Sequence, residues 1–469
     1  MNKAVPSRLL LVAALSLAGL VWLMSLAYGF QHLVAGDSAK HTAYFRIATV
    51  LFAGLVAYLT WFAATRAPYE GTEAVRPPWW LGLAMMTASF GLTCFFYSPM
   101  LAPMGWMPPV AAVPLIALVV HRRWGYRGAN AVFLLAIGVL FVYVISRFPH
   151  DSAGDMLQII DFASNDLLRG ENPYRHYFTS AKRDVPFVYW PVLWLPYVPL
   201  IAAGVDLRVL NLVVFALLTL LFFRAAGGGE RGAEALALVV LPFLLSSQVF
   251  QMVVWGHSWV YWLLVTALLV LLVRRQFLAA AVVFGLCLAT RPTALFLAGP
   301  IVAFLWSREG VGWVLRGGAV SAAVVVAIHV PFVVAFGDGF VNNTYSILLG
   351  VNQELKHFSL LAFLKDAGLG ALGNLVQVVI TLALMYLIVR KRLLAPDQFV
   401  MLAGLAYFWM ILFAPYATRY VYFPAYLLVA LGLLISYRRE TVAATSVEES
   451  PAGRSTAWAT VSDDAIRRS

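Results

Sequence analysis

Long apolar runs separated by short charged loops set the pattern of this chain. A helix of about 20 apolar residues can cross a hydrocarbon layer, because it satisfies its own backbone hydrogen bonds where there is no water to do so. About fourteen such segments can be placed, the first five at Leu9 to Tyr28, Tyr44 to Ala64, Trp79 to Met100, Pro109 to Val120 and Ala129 to Ile145. Then follow Val209 to Phe223, Glu234 to Val254, Ser258 to Val273, a proline-split pair around Arg291-Pro292, Trp313 to Phe336, Asn374 to Val389, Gln398 to Phe413 and Tyr420 to Tyr437. The pattern predicts an all-α, polytopic integral membrane protein. Lys3 and Arg8 flank the first run as in a signal peptide, but the run is too long and no small-residue cleavage site leads into a soluble chain.

Two polar segments, Phe148 to Pro186 and Gly337 to Gly373, break the rhythm. They divide the chain into a five-helix N-terminal membrane region (1–147), a loop with amphipathic and juxtamembrane helices (148–208), a transmembrane core (209–437) with a second loop at 337–373, and a disordered tail (438–469). With the N-terminus in the cytoplasm, every alternate loop is basic, from Arg66 and Arg76 through Arg122, Arg123 and Arg127 to Arg438 and Arg439. That agreement requires Val188 to Ala203, rich in aromatic residues and proline, to lie at the interface rather than cross. Both polar segments then face outward, and both termini are cytoplasmic, in a cell (plasma) membrane. No inverted repeat of the transporter kind is evident.

Composition agrees: the chain is 62% hydrophobic and 12% charged, whereas soluble domains sit near roughly 45–50% and 25%. Lys and Arg exceed Asp and Glu by 33 − 22 = 11. In a membrane protein such an excess marks cytoplasmic loops and anionic lipid, and no nucleic-acid partner is expected. Cys94 and Cys287 lie in apolar runs and read as core residues. No nucleotide loop, His pair or Cys cluster appears, so neither metal nor cofactor is expected.

The first polar segment is dense in acids: Asp151, Asp155, Asp161, Asp166, Glu171 and Asp184. Met156, Ile159, Ile160, Ala163 and Leu167 recur at helical spacing, predicting a short amphipathic helix that Gly170, Asn172 and Pro173 stop. Asp155 stands at its start, where a carboxylate commonly caps free amides. It could equally act as a general base, and spacing does not choose between the two roles. Asp161 lies six residues on, a rotation of about 240° net on a helix, so the two do not share a face. Asp151 and Asp166 read as solvated or capping.

In order along the chain, Asp155, Leu167-Leu168-Arg169-Gly170, Asn172-Pro173-Tyr174 and Phe187-Val188-Tyr189-Trp190-Pro191 resemble the first outer loop of polyprenyl-phosphate-sugar-dependent glycosyltransferases of the GT-C superfamily. The bacterial polyprenol-phosphate-mannose-dependent α-mannosyltransferases look nearest, though Trp190 stands where a proline is usual. Trp255-Gly256-His257-Ser258 occupies the place of a Gly-Gln-x-Asn in that group and departs from it. Gly285 to Thr293 resembles its Gly-Leu-Ala and Lys-x-x-Pro, with Arg291 for the lysine, and Asn352-Gln353 resembles its Asn-Gln-Ser-Leu loop. The resemblance spans about Asp155 to Tyr437 and leaves the five N-terminal helices unmatched.

It implies a GT-C-like fold with outer-face juxtamembrane helices. It also implies transfer of a sugar, mannose foremost, from a polyprenyl-phosphate donor to a hydroxyl of a lipid or glycan acceptor, by inversion and without a metal. Asp155 is then the base, with Asp161 the alternative. Arg291, beside Pro292 in an apolar stretch, would neutralise the leaving phosphate, the alternative being snorkelling. Arg419 would help it or anchor at the interface, and His257 would bond phosphate or sugar or rest as an interfacial histidine. His357, Asn352 and Gln353 could meet the donor from the second loop. Tyr174, Tyr177, Tyr189, Trp190 and Trp194 suit sugar rings or lipid headgroups, and His329 reads as core. A transporter or lipid flippase is the competing class, and an assembly or export subunit a third.

Overall fold

The computed structural model describes residues 8–29, 38–65, 77–101, 105–150, 155–180, 182–346, 359–390, 395–414 and 419–448. Helices dominate, as the apolar runs predict. They include α1 (Arg8–Gly29), α2 (Ser38–Thr65), α3 (Leu81–Phe96), α4 (Met107–Arg147), α5 (Met156–Leu168), α6 (Arg208–Ala225), α7 (Gly229–Val239), α8 (Ser247–Trp255) and α9 (Trp259–Val273). After them come α10 (Phe277–Leu288), α11 (Ala298–Glu309), α12 (Val311–Val341), α13 (Leu360–Asp366), α14 (Gly370–Arg390), α15 (Pro396–Leu412) and α16 (Phe423–Glu448).

Among the described residues six helices are long and apolar enough to cross a membrane, or up to seven if α8 and α9, bent by 119° at their junction, make one span. Other apolar runs of the sequence form shorter helices, among them α3, α10 and α15, or helices that meet at a break. Pro109 to Val120 and Ala129 to Ile145 are two helices that meet at a kink at Gly125 (φ 63°, ψ −155°) within the range of α4. Glu234 to Val254 is cut into α7, a turn at Leu241–Leu244 that opens on Pro242, and α8. The Arg291-Pro292 stretch becomes α10, a 3-10 turn at Pro292–Leu297 and α11. On α12 and α14 apolar side chains stand exposed, Val334 at 80% and Leu382 at 58%, as suits helices whose neighbour is hydrocarbon.

At the centre, α15 and α16 are buried along nearly all their described length. The N-terminal helices join this core: Phe52 packs edge-on to Phe408 and Tyr422, and the Trp409 indole donates to Thr60 Oγ1 at 3.0 Å. The tail boundary differs too, because α16 continues to Glu448.

The amphipathic helix forms where its spacing places it, as α5. The loop after it adds a small antiparallel hairpin, β1 (His176–Phe178) with β2 (Asp184–Pro186), which an all-helical reading does not contain. A second apolar core gathers Leu157, Ile160, Phe187, Trp194 and Tyr197 around the end of α12 at Phe340. Asp166, read from sequence as solvated or capping, is 1% exposed. It accepts from Tyr177 at 2.7 Å and from Arg169 and Arg175, tying α5 to the hairpin. Arg208, 2% exposed, pairs with Asp206 and donates to the carbonyls of Ile145 and Phe148, closing the two ends of this polar segment together.

Candidate functional site

Pro292 restricts the residue before it to extended backbone, and Arg291 accordingly has φ −155° and ψ 140° between α10 and the 3-10 turn. This break aims the guanidinium back at the break between α8 and α9. Arg291 Nη2 donates to Ser258 Oγ at 2.7 Å and to His257 Nε2 at 3.0 Å. Its charge also lies over two rings, 5.2 Å from Tyr420 and 5.9 Å from Tyr261, a contact worth about 0.5–2 kcal/mol depending on desolvation.

The α8–α9 break is built by Asn211 on α6. Its amide donates to the carbonyls of Val253 (2.9 Å) and Gly256 (2.8 Å) and accepts from Tyr197 Oη (2.7 Å). Gly256 is required there, since a Cβ would lie 2.2 Å from Met252 Cε and 2.8 Å from the Met252 carbonyl. Below the guanidinium, Tyr261 and Tyr407 share a hydrogen bond of 3.0 Å, and Tyr407 donates to Thr293 Oγ1 at 3.0 Å. Tyr189 lies on the His257 ring, centroids 4.3 Å apart.

The donor count around Arg291 is the notable property. Arginine has no acceptor, so His257 Nε2 must accept and its proton must sit on Nδ1. That Nδ1 is buried with no hydrogen-bond partner among the described residues. No carboxylate pairs with Arg291 among the described residues either, although eight other side-chain pairs there join an arginine to an acid. Arg291 is half-buried, and a cation partly withdrawn from water is favoured by an anion beside it. The cluster thus holds surplus positive charge and an unused buried N–H.

The two candidate carboxylates stand apart from this cluster: among the described residues no hydrogen bond, ion pair or ring contact links Asp155 or Asp161 to Arg291. Asp155 is at the N-terminus of α5 but its side chain makes no capping bond, and its backbone is helical rather than extended. Asp161 is engaged, 3.5 Å from His150 Nε2 and accepting from Asn165 at 3.0 Å. The hydrogen bond to Asp161 raises the His150 pKa above its usual value, against the opposing effect of burial. The helix carrying both acids packs on the 3-10 turn Leu195–Tyr197, whose Tyr197 bonds Asn211. Tyr197 and Asn211 therefore link the acid-bearing helix to the His257 break.

Other sequence candidates divide. Tyr189 joins the cluster. Tyr174 does not: it is 2% exposed and enclosed by Phe187, Trp194, Phe332, Phe336 and Phe340, leaving no face for a sugar ring. His257, one reading of which was an interfacial histidine, is 0% exposed inside the bundle. His329 is buried, as its position suggested, with Trp190 edge-on at 5.0 Å. Arg419 opens the 3-10 turn Arg419–Val421 next to Tyr420, and its side chain lies outside what is described. Asn352, Gln353 and His357 lie outside the described residues. Ser258, Tyr261, Tyr407 and Asn211 were missed, because in apolar runs a tyrosine counts as hydrophobic and a lone Asn or Ser carries no spacing. Comparison with known protein families, with curated proteins and with solved structures finds no match.

Proposed function

We propose that this membrane protein is a glycosyltransferase with a GT-C-like fold of about fourteen spans, moving a sugar from a polyprenyl-phosphate donor to an acceptor hydroxyl at the outer face. The observation that carries the reading is Arg291: a cation in a helix break, with no carboxylate partner among the described residues and with an unused N–H on His257 beside it. That chemistry suits a phosphate monoester or diester inside an apolar bundle.

In the reaction, the acceptor oxygen attacks the anomeric carbon while the bond from that carbon to the phosphate oxygen breaks, inverting the centre. The acceptor's proton passes to a carboxylate. The polyprenyl phosphate leaves with a full negative charge, which Arg291, Ser258 and His257 would meet with N–H and O–H donors. Asp155 is favoured as the base over Asp161, since Asp161 is already held by His150 and Asn165 whereas Asp155 has no such partner among the described residues. Tyr189, in tilted contact with the His257 ring, would border the sugar.

One observation favours the transporter or flippase reading: a helix pair bent by 119° at a buried polar break is the kind of feature that builds transport sites. The two are separated by presenting radiolabelled polyprenyl-phosphate sugars to membranes containing the protein. Transfer that requires Arg291 and Asp155 supports the enzyme. Absence of transfer from several sugars, with label moving across the bilayer instead, supports transport.

A further inference from the structure

Helices α9, α10, α11 and α12 leave an apolar cleft between them, walled by Leu272, Phe277, Ala281, Ile301, Trp313 and Gly318. Leu272, Phe277 and Trp313 stand within three residues of the loops at Arg274–Gln276 and Gly310, so one end of the cleft lies where arginines collect. Two observations indicate what fits it.

The first is space held open without an internal reason. Glycine inside a helix weakens it relative to alanine, and Gly285 has a packing reason: a Cβ would come within 2.7 Å of Val324 Cβ and 2.8 Å of the Ser321 carbonyl. Gly317 and Gly318 do not. Nothing lies within 4 Å of a Cβ at Gly318, and at Gly317 the nearest is Ala281 Cβ at 3.9 Å. Their effect is to keep the cleft wide.

The second is charge. The Arg316 guanidinium lies 5.0 Å over the ring of Trp313, which itself packs on Phe277 at 5.3 Å. Arg316 and Arg274 are exposed and meet no carboxylate among the described residues, and Arg275 has only Glu309, at 3.8 Å. An apolar slot with surplus guanidinium at one end matches a molecule with a hydrocarbon tail and an anionic head.

We propose that this cleft is a binding site for one anionic phospholipid, with an acyl chain lying along Gly317 and Gly318 and the headgroup phosphate at Arg316 and Arg274. The site is separate from the Arg291 cluster and holds whether or not the protein transfers a sugar.

The test uses the full-length protein in detergent, titrated with phosphatidylglycerol or phosphatidylcholine, with retained lipid read by native mass spectrometry. Phosphatidylglycerol should be retained in preference, by about fivefold for each guanidinium that meets it. Replacing Arg274→Gln together with Arg316→Gln should remove the preference, and Gly318→Leu, which fills the slot, should lower retention of both lipids. Equal retention of the two lipids by the unaltered protein overturns the proposal, as does full retention by a folded Gly318→Leu. If Gly318→Leu does not fold, the arginine pair decides: a preference that survives their loss overturns it. A dimer that Gly318→Leu dissociates would assign the cleft to a second copy of the chain and also overturn it.

Discussion

Arg291 Nη2 reaches Ser258 Oγ at 2.7 Å, joining the break after α10 to the break between α8 and α9. Two interruptions that look unrelated in sequence become one polar site, and the cation at its centre has neutral partners only among the described residues.

Because that cation is half-buried with neutral partners and no counter-ion among the described residues, removing it should not weaken the fold. Arg291→Gln is expected to leave the thermal midpoint in detergent unchanged or slightly higher, while sugar transfer falls about 10²–10³-fold, the usual loss for one charge-stabilising donor. Arg291→Lys should recover little, since an ammonium cannot reach Ser258 and His257 in the same fork geometry. A large loss of stability with Arg291→Gln, measured alongside transfer, would make the residue structural.

The two carboxylates should separate cleanly. Asp155→Asn is expected to abolish transfer of radiolabelled sugar with no change in melting, because its side chain caps nothing. Asp161→Asn should keep transfer and lose the His150 contact. Equal transfer by the unaltered protein and Asp155→Asn would remove Asp155 as the base.

His150 predicts a pH dependence of stability. Its pKa is raised from 6.5, chiefly by the hydrogen bond to Asp161. A raised pKa in the folded state means the stabilisation is complete below the unfolded value and disappears as pH rises through the folded one. Thermal midpoints of the protein and of His150→Gln should therefore differ most below pH 6.5 and converge above the raised value. Both side chains are partly exposed, so the gap should be under about 1 kcal/mol. A gap that widens with pH would contradict the assignment.

Asn211 is expected to be among the costlier single positions. Asn211→Leu leaves the carbonyls of Val253 and Gly256 and the Tyr197 hydroxyl without their partner, at about 1–3 kcal/mol for each buried group left unpaired. Thermal unfolding of the variant, with Tyr197→Phe as the lesser control, checks the size and the order.

The apolar runs by themselves determined that the chain is helical and belongs in a membrane, because the need to satisfy backbone polar groups in hydrocarbon leaves little choice. The spacing of Met156, Ile159, Ile160 and Ala163 likewise placed α5, and Pro292 marked the break that carries Arg291. These are local constraints, readable within a few residues. What faces Arg291 was decided only by packing: Ser258, Tyr261, Tyr407 and Asn211 come from separate helices, and none carries a pattern along the chain. Tyr174 and Asp166 show the converse, polar residues of the first polar segment that tertiary contacts bury. Periodicity records which face of a helix avoids water, whereas a polar site inside a bundle depends on which faces meet, and that is set by contacts between residues far apart in sequence.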